Sequence, residues 1–283
     1  MRSRTPGLRH ILFTAGTCTL SLVVLATMEL AGSQPEDGQH DVVANRLITV
    51  RTATPTAPAS GGRAVTMGAA GRSSADLPDG APVPATGSGT WRVVPGAVRR
   101  ADVGEPYTYT VEIEDGVRLI DGDDEFGRFV DEVLHDPRSW TGDGTIALQR
   151  AEHGEPDLRI KLTSQATTRA LCGYELPFDT SCRIDDAVYL SAARWVRGAK
   201  SFNGRMDEYR QYMVNHEVGH FLGYEHELCG TSGSLAPVMM QQTFSTHNDE
   251  LADITATSPQ QVSVPRDGKV CTPNPWPHPH AQR

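Results

Sequence analysis

The chain has 283 residues, a formal net charge of −9 and a pI near 5.5, which is length enough for one or two domains with a sizeable core. An acidic balance repels phosphate backbones and argues against a nucleic-acid partner. Of five cysteines, Cys18 stands apart in an apolar N-terminal run, leaving an even set of four in the body, as expected of an exported, disulfide-bonded protein.

Arg2, Arg4 and Arg9 precede an uncharged apolar run from Ile11 to Met28, and Glu29, Glu36 and Asp37 follow it. That order predicts a cytoplasmic n-region over 1–10 and a membrane anchor or cleaved signal peptide over 11–30. Everything after it lies outside the cell, either tethered to the membrane or secreted. Residues 31–88 are dominated by Pro, Ala, Thr, Gly and Ser, a composition too poor in apolar surface to offset the entropy of ordering, and are expected to form a disordered linker. The folded domain is expected over 89–283.

Trp91–Val94 and Tyr107–Glu114 alternate with period two and predict strands. Asp123 is placed to cap a helix whose face is Phe126, Phe129, Val130, Val133 and Leu134, ending before Pro137. The acidic cluster of Asp121, Asp123, Asp124 and Glu125 suits the positive end of that helix dipole better than it suits calcium. Three more strands are expected near Thr145–Arg150, Asp157–Thr163 and Ala187–Ser191, and a second helix from about Met206. The fold class is therefore α+β. A small twisted mixed sheet carries a backing helix and an active-site helix, followed by an irregular C-terminal part. The strand near Val188–Ser191 is the expected substrate-binding edge, followed by Trp195 packed inward and Arg194 snorkelling to solvent.

The second helix ends in Asn215-His216-Glu217-Val218-Gly219-His220-Phe221-Leu222-Gly223-Tyr224-Glu225-His226. Residues four apart share a helix face, so His216 and His220 can aim at one point. Gly223 lets the chain leave the helix through left-handed angles, and His226 can return as a third nitrogen. Three imidazoles with an open fourth position are the ligand set of a catalytic zinc, whereas structural sites are closed by four protein ligands. Zinc brings the pKa of water down to about 7, and Glu217, beside the first histidine, is the candidate general base and acid. An apolar core helix gains nothing from a carboxylate at that offset.

The four remaining cysteines allow three pairings. Cys172–Cys182 with Cys229–Cys271 closes the two most local loops, both flanking the expected metal. The Pro-rich tail from Pro273 to His280 favours extended geometry and admits a rival reading as a partner-binding element.

The histidine motif resembles that of the metzincin zinc metallopeptidases, and the element order resembles their N-terminal subdomain. The resemblance implies a methionine turn beneath the metal, assigned to Met239 within Ala236–Gln242, as a packing device and not a ligand. More closely, the region from Trp91 to Pro277 is similar to an uncharacterised family of exported actinobacterial proteins. That similarity is carried by Asp136–Trp140, Tyr209–Tyr212 running into Asn215–Glu217, Ala236–Gln242 and Pro273–Pro277. Snapalysin-type peptidases are more distantly similar and place an aspartate where this chain has His226. Several metzincins have an oxyanion-stabilising tyrosine two residues beyond the turn methionine; here that position is Gln241 or Gln242. Glu227 follows the third histidine as in astacin-like members.

These readings imply a monomeric zinc metalloendopeptidase acting on peptide or protein substrates, with one zinc, attached to the membrane through its N-terminal segment or secreted. A cell-wall peptide amidase and a non-catalytic, zinc-stabilised envelope binding module are the alternatives.

Overall fold

The computed structural model describes residues 73–98, 103–172, 176–256 and 263–281; the expected n-region, the anchor or signal peptide and the linker up to residue 72 lie outside them. Period-two alternation builds its central strand. β2 (Glu105–Glu114) buries Tyr109, Val111 and Ile113 on one face and Thr110, Glu112 and Glu114 on the other. β4 (Leu158–Thr163) runs parallel to it and adds Leu158, Ile160 and Leu162 to the apolar face. β6 (Ala187–Ser191) continues the parallel pairing with Val188 and Leu190.

Two further strands flank β2. β1 (Trp91–Val93) is antiparallel to its end, and β3 (Ile146–Arg150) is parallel to its first half. At the other side β5 (Cys182–Ile184) closes the sheet antiparallel to β6. The result is an open, mixed six-stranded sheet in the order β1-β2-β4-β6-β5, with β3 also on β2. Its right-handed twist follows from strand sterics.

The second face of β2 is polar yet closed, so each carboxylate there needs partners. Glu114 accepts bonds from the Gly89 and Ser164 amides and from Thr167 Oγ1 at 2.7–2.8 Å. The apolar face is covered by α1 (Asp123–Leu134) and α4 (Met206–Phe221), which share one core with the strands. Between them sits Trp195, edge-on to Phe126 at 4.9 Å and Phe129 at 5.3 Å. This is the α+β sheet with two packed helices that the periodicity predicts.

Other expectations need correction. Asp123 does not cap α1: the cap is Gly122, with no side-chain bond, and Asp123 instead pairs with Arg92 at 2.8 Å. Short elements were also missed: α2 (Gln165–Leu171), α3 (Ala192–Arg197), α5 (Asn248–Thr255) and β5 itself. Because β5 lies outside β6, the edge is Cys182–Ile184 and not Val188–Ser191.

The largest difference concerns the start of the fold. Residues 73–88, expected in the linker, form a strap bonded to the domain. Arg194, far from snorkelling, is fully buried and donates to Ala75 O, Asp76 O, Asp179 O and Gly198 O. Arg197 reaches Ala81 O, and the amides of Gln165 and Ala166 donate to Pro84 O and Ala85 O. A buried guanidinium needs acceptors, and in the strap these are carbonyls, which composition does not reveal. Ala75 also packs into a second cluster with Met240, Phe244, Leu251 and the Cys229–Cys271 pair.

Candidate metal centre

α4 carries a mixed surface because it is buried on nearly all sides in its last three turns, Tyr209 to Gly219. It ends at Phe221, with Leu222 as its C-cap, and Gly223, at φ 91°, turns the chain back toward His226. A side chain at that angle would be strained, so the glycine is required there.

The turn brings three rings together. His216, His220 and His226 each offer a ring nitrogen, all within 4.8 Å of one another. His220 Nε2 and His226 Nε2 are 3.1 Å apart. Tetrahedral zinc with bonds of 2.0–2.1 Å places neighbouring nitrogens about 3.3 Å apart, so this separation suits two ligands of one ion.

The tautomers are set by the backbone. His216 Nδ1 donates to Val238 O and His220 Nδ1 to Tyr224 O, both at 2.9 Å. Each bond fixes the proton on Nδ1 and leaves the Nε2 lone pair aimed into the cluster. Burial holds His216 well below the ordinary histidine range and lowers His220 as well, which keeps both rings neutral and able to ligate. His226 stands at the mouth, also lowered by packing around its ring and by His220 beside it.

Glu217 is buried, and its Oε2 has no hydrogen-bond partner among the described residues. Burial alone pushes its carboxyl up to about 8. An orphaned buried carboxylate oxygen at the floor of a histidine cluster is costly unless something cationic or protic meets it. The donor set, its lone-pair directions and this oxygen all fit a zinc ion.

The scaffold beneath is dense. Met239, fully buried, lies against Gly219, where a Cβ would fall 2.8 Å from Trp140 Cζ2 and nearer still to the methionine sulfur. Tyr212 Oη donates to Met240 O and accepts from the Gln242 backbone amide, both at 2.9 Å, tying the Met239–Gln242 segment to α4. Asn215 accepts from Ser139 Oγ at 2.7 Å and donates to Pro275 O at 2.9 Å, while Trp140 Nε1 donates to Asn215 O at 2.8 Å.

Beside the histidine cluster lies a cleft of about 350 Å³, lined by the three histidines, Glu217, Tyr224, Glu225, Gln241, Thr243 and Phe244, and by Leu176, Thr180, Ser181, Cys182 and Arg183. The disulfide Cys172–Cys182 borders it, and Cys229–Cys271 braces the lower core; both pairings are those that close the local loops.

Residues 77–279 match the model of a family described as a protein of unknown function, DUF3152. The chain belongs to DUF3152. No curated protein and no solved structure matches it. The DUF3152 region begins inside the strap, before Gly89, and ends beyond Trp276. All four sequence segments singled out within it, 136–140, 209–217, 236–242 and 273–277, meet around α4.

Two site expectations change with that packing. Gln242 is fully buried and its amide donates to Pro237 O and Asn274 O, so it has no proton to offer the cleft; Gln241 does line it. Trp276 is buried with Arg138 4.0 Å over its ring, so this part of the Pro-rich tail of the DUF3152 domain is packed and not a free ligand. The side chain of Glu227 is exposed, and its amide donates to Met239 O. Arg183 and Tyr224 were missed as cleft residues: a three-residue strand carries too little periodicity to mark the first, and the second lies in the irregular turn after α4.

Proposed function

We propose that the chain is an extracytoplasmic zinc-dependent metalloendopeptidase of metzincin type, membrane-tethered or secreted. The observation that carries this reading is the convergence of three neutral imidazoles beside the buried, unpartnered carboxylate of Glu217 at the floor of an open cleft.

His216, His220 and His226 would hold the ion. Zinc bound there supplies Lewis acidity toward a water molecule and toward the carbonyl of the peptide bond. Glu217 accepts a proton from the attacking water. Its raised affinity for protons, a consequence of burial, suits it to keep that proton and deliver it to the departing amine nitrogen. Val238 O and Tyr224 O hold two of the rings in register throughout, and Met239 supports α4 from below as the methionine turn. An extended substrate would add to the free edge of β5, which borders the cleft.

The test is cleavage profiling of a proteome-derived peptide library with the full chain and its Glu217→Gln variant, with zinc measured in both. One zinc in each, with cleavage by the unsubstituted chain alone, supports the assignment. Equal cleavage by both removes it.

A further inference from the structure

Arg183 is the middle residue of β5 and lies exposed on the wall of the cleft that also contains His220 and Glu217. Other arginines of the sheet and its helices are spent: Arg159 pairs with Glu112, Arg169 with Asp179, and Arg210 with Asp207. Among the described residues Arg183 has no ion pair and no side-chain hydrogen bond, and Glu225, which lines the same cleft, does not pair with it.

The backbone under Arg183 is held at both ends. Cys182, before it, is bonded to Cys172. After Ile184 the chain turns through Asp185, at φ 53°, and Arg183 pairs with Val188 of β6. An arginine on a fixed edge, facing a cleft and unneutralised, presents a planar fork of donors to whatever enters. The group that matches that fork in charge and geometry is a carboxylate.

We propose that Arg183 is a specificity-determining residue that binds a carboxylate of the peptide substrate. This inference rests on the peptidase reading above. The carboxylate has two sources, an acidic side chain near the scissile bond or the C-terminus of a short peptide. Both present the same chemistry to Arg183.

The experiment uses the full chain carrying Glu217→Gln and loaded with zinc, so that binding is measured without turnover. Three fluorescent peptides of one sequence are compared by anisotropy: an internal Glu with an amidated end, an internal Gln with a free C-terminus, and an internal Gln with an amidated end. One of the two carboxylate peptides is expected to bind about 10- to 100-fold more tightly than the neutral one, the range for a hydrogen bond to a charged group. Which of the two does so identifies the source. Adding Arg183→Gln is expected to bring that ratio close to one, and Arg183→Glu to favour a peptide with Lys at the same place. Zinc content and far-ultraviolet circular dichroism confirm that the variants remain folded.

An unchanged ratio in Arg183→Gln overturns the proposal. So does an equal loss for all three peptides, which would mean that Arg183 acts on the fold or on the reacting carbonyl. Parallel assays with Glu217 intact separate the two readings. Charge discrimination without cleavage counts against the peptidase and leaves the role of Arg183 standing, whereas cleavage without discrimination does the reverse.

Discussion

Removing the charge of Glu217 is expected to stabilise the zinc-free chain, and to do so only where that charge exists. Its carboxyl is buried and raised from an ordinary value of 4.5 to about 8. The folded chain therefore keeps a proton that the unfolded chain gives up. A raised acid of this kind leaves stability untouched below pH 4.5 and lowers it progressively as pH climbs from 4.5 to 8. At 1.36 kcal/mol per pH unit, the cost accumulated by pH 7 is about 3 kcal/mol. Glu217→Gln abolishes it, while the new buried amide adds a cost that does not vary with pH. The readout is thus a slope: the stability of Glu217→Gln minus that of the unsubstituted chain should rise by about 3 kcal/mol between pH 4 and pH 7. Urea denaturation of the chelator-treated full chain measures this as a midpoint displacement of about 1–2 M. Zinc should shrink the gain, because a dication beside the carboxylate favours its charged form. A difference that is flat with pH, or that grows when zinc is restored, would refute the burial argument.

Other perturbations test the scaffold. Removing the strap through Gly89 strips Arg194 of Ala75 O and Asp76 O, and should destabilise the domain by about 3–5 kcal/mol relative to a chain beginning at Ser73, measured by thermal unfolding. Gly219→Ala pushes a methyl into Met239 and Trp140 and should cost about 1–3 kcal/mol while lowering zinc affinity, read by competition with a chromogenic chelator. Opening Cys229–Cys271 should cost more than opening Cys172–Cys182, about 4 against about 3 kcal/mol, because the loop it closes is longer. Cysteine-to-serine pairs measured in urea check the order.

The helix carrying His216 and His220 and the long strands were legible because their signals are local. His216 and His220 need only helix geometry to converge, His226 only the glycine turn at Gly223, and Tyr109, Val111 and Ile113 only alternation to share a face. The expected pairing of cysteines agreed with the structure for the same reason, since each closes a short loop. What was illegible depends on contacts far apart in the chain. The strap around Ala75 is polar and Pro-rich, and partners far along the chain, the buried Arg194 119 residues later among them, make it part of the fold. The edge of the sheet was misplaced because three residues, Cys182–Ile184, carry too little periodicity to mark a strand. Gln242 looked available as an oxyanion donor until Asn274 and Pro237 were seen to occupy its amide.

The proposed peptidase chemistry needs three imidazoles that hold one zinc with a face left open to solvent. X-ray absorption at the zinc edge on the full chain, compared with His226→Ala, tests it most directly. The expected spectrum for the unsubstituted chain shows one zinc per chain with three imidazole nitrogens at about 2.0–2.1 Å and a fourth, light, exchangeable ligand, and His226→Ala loses one imidazole from that shell. A chain that takes up no zinc, or an ion closed by four protein side chains, would contradict the proposal.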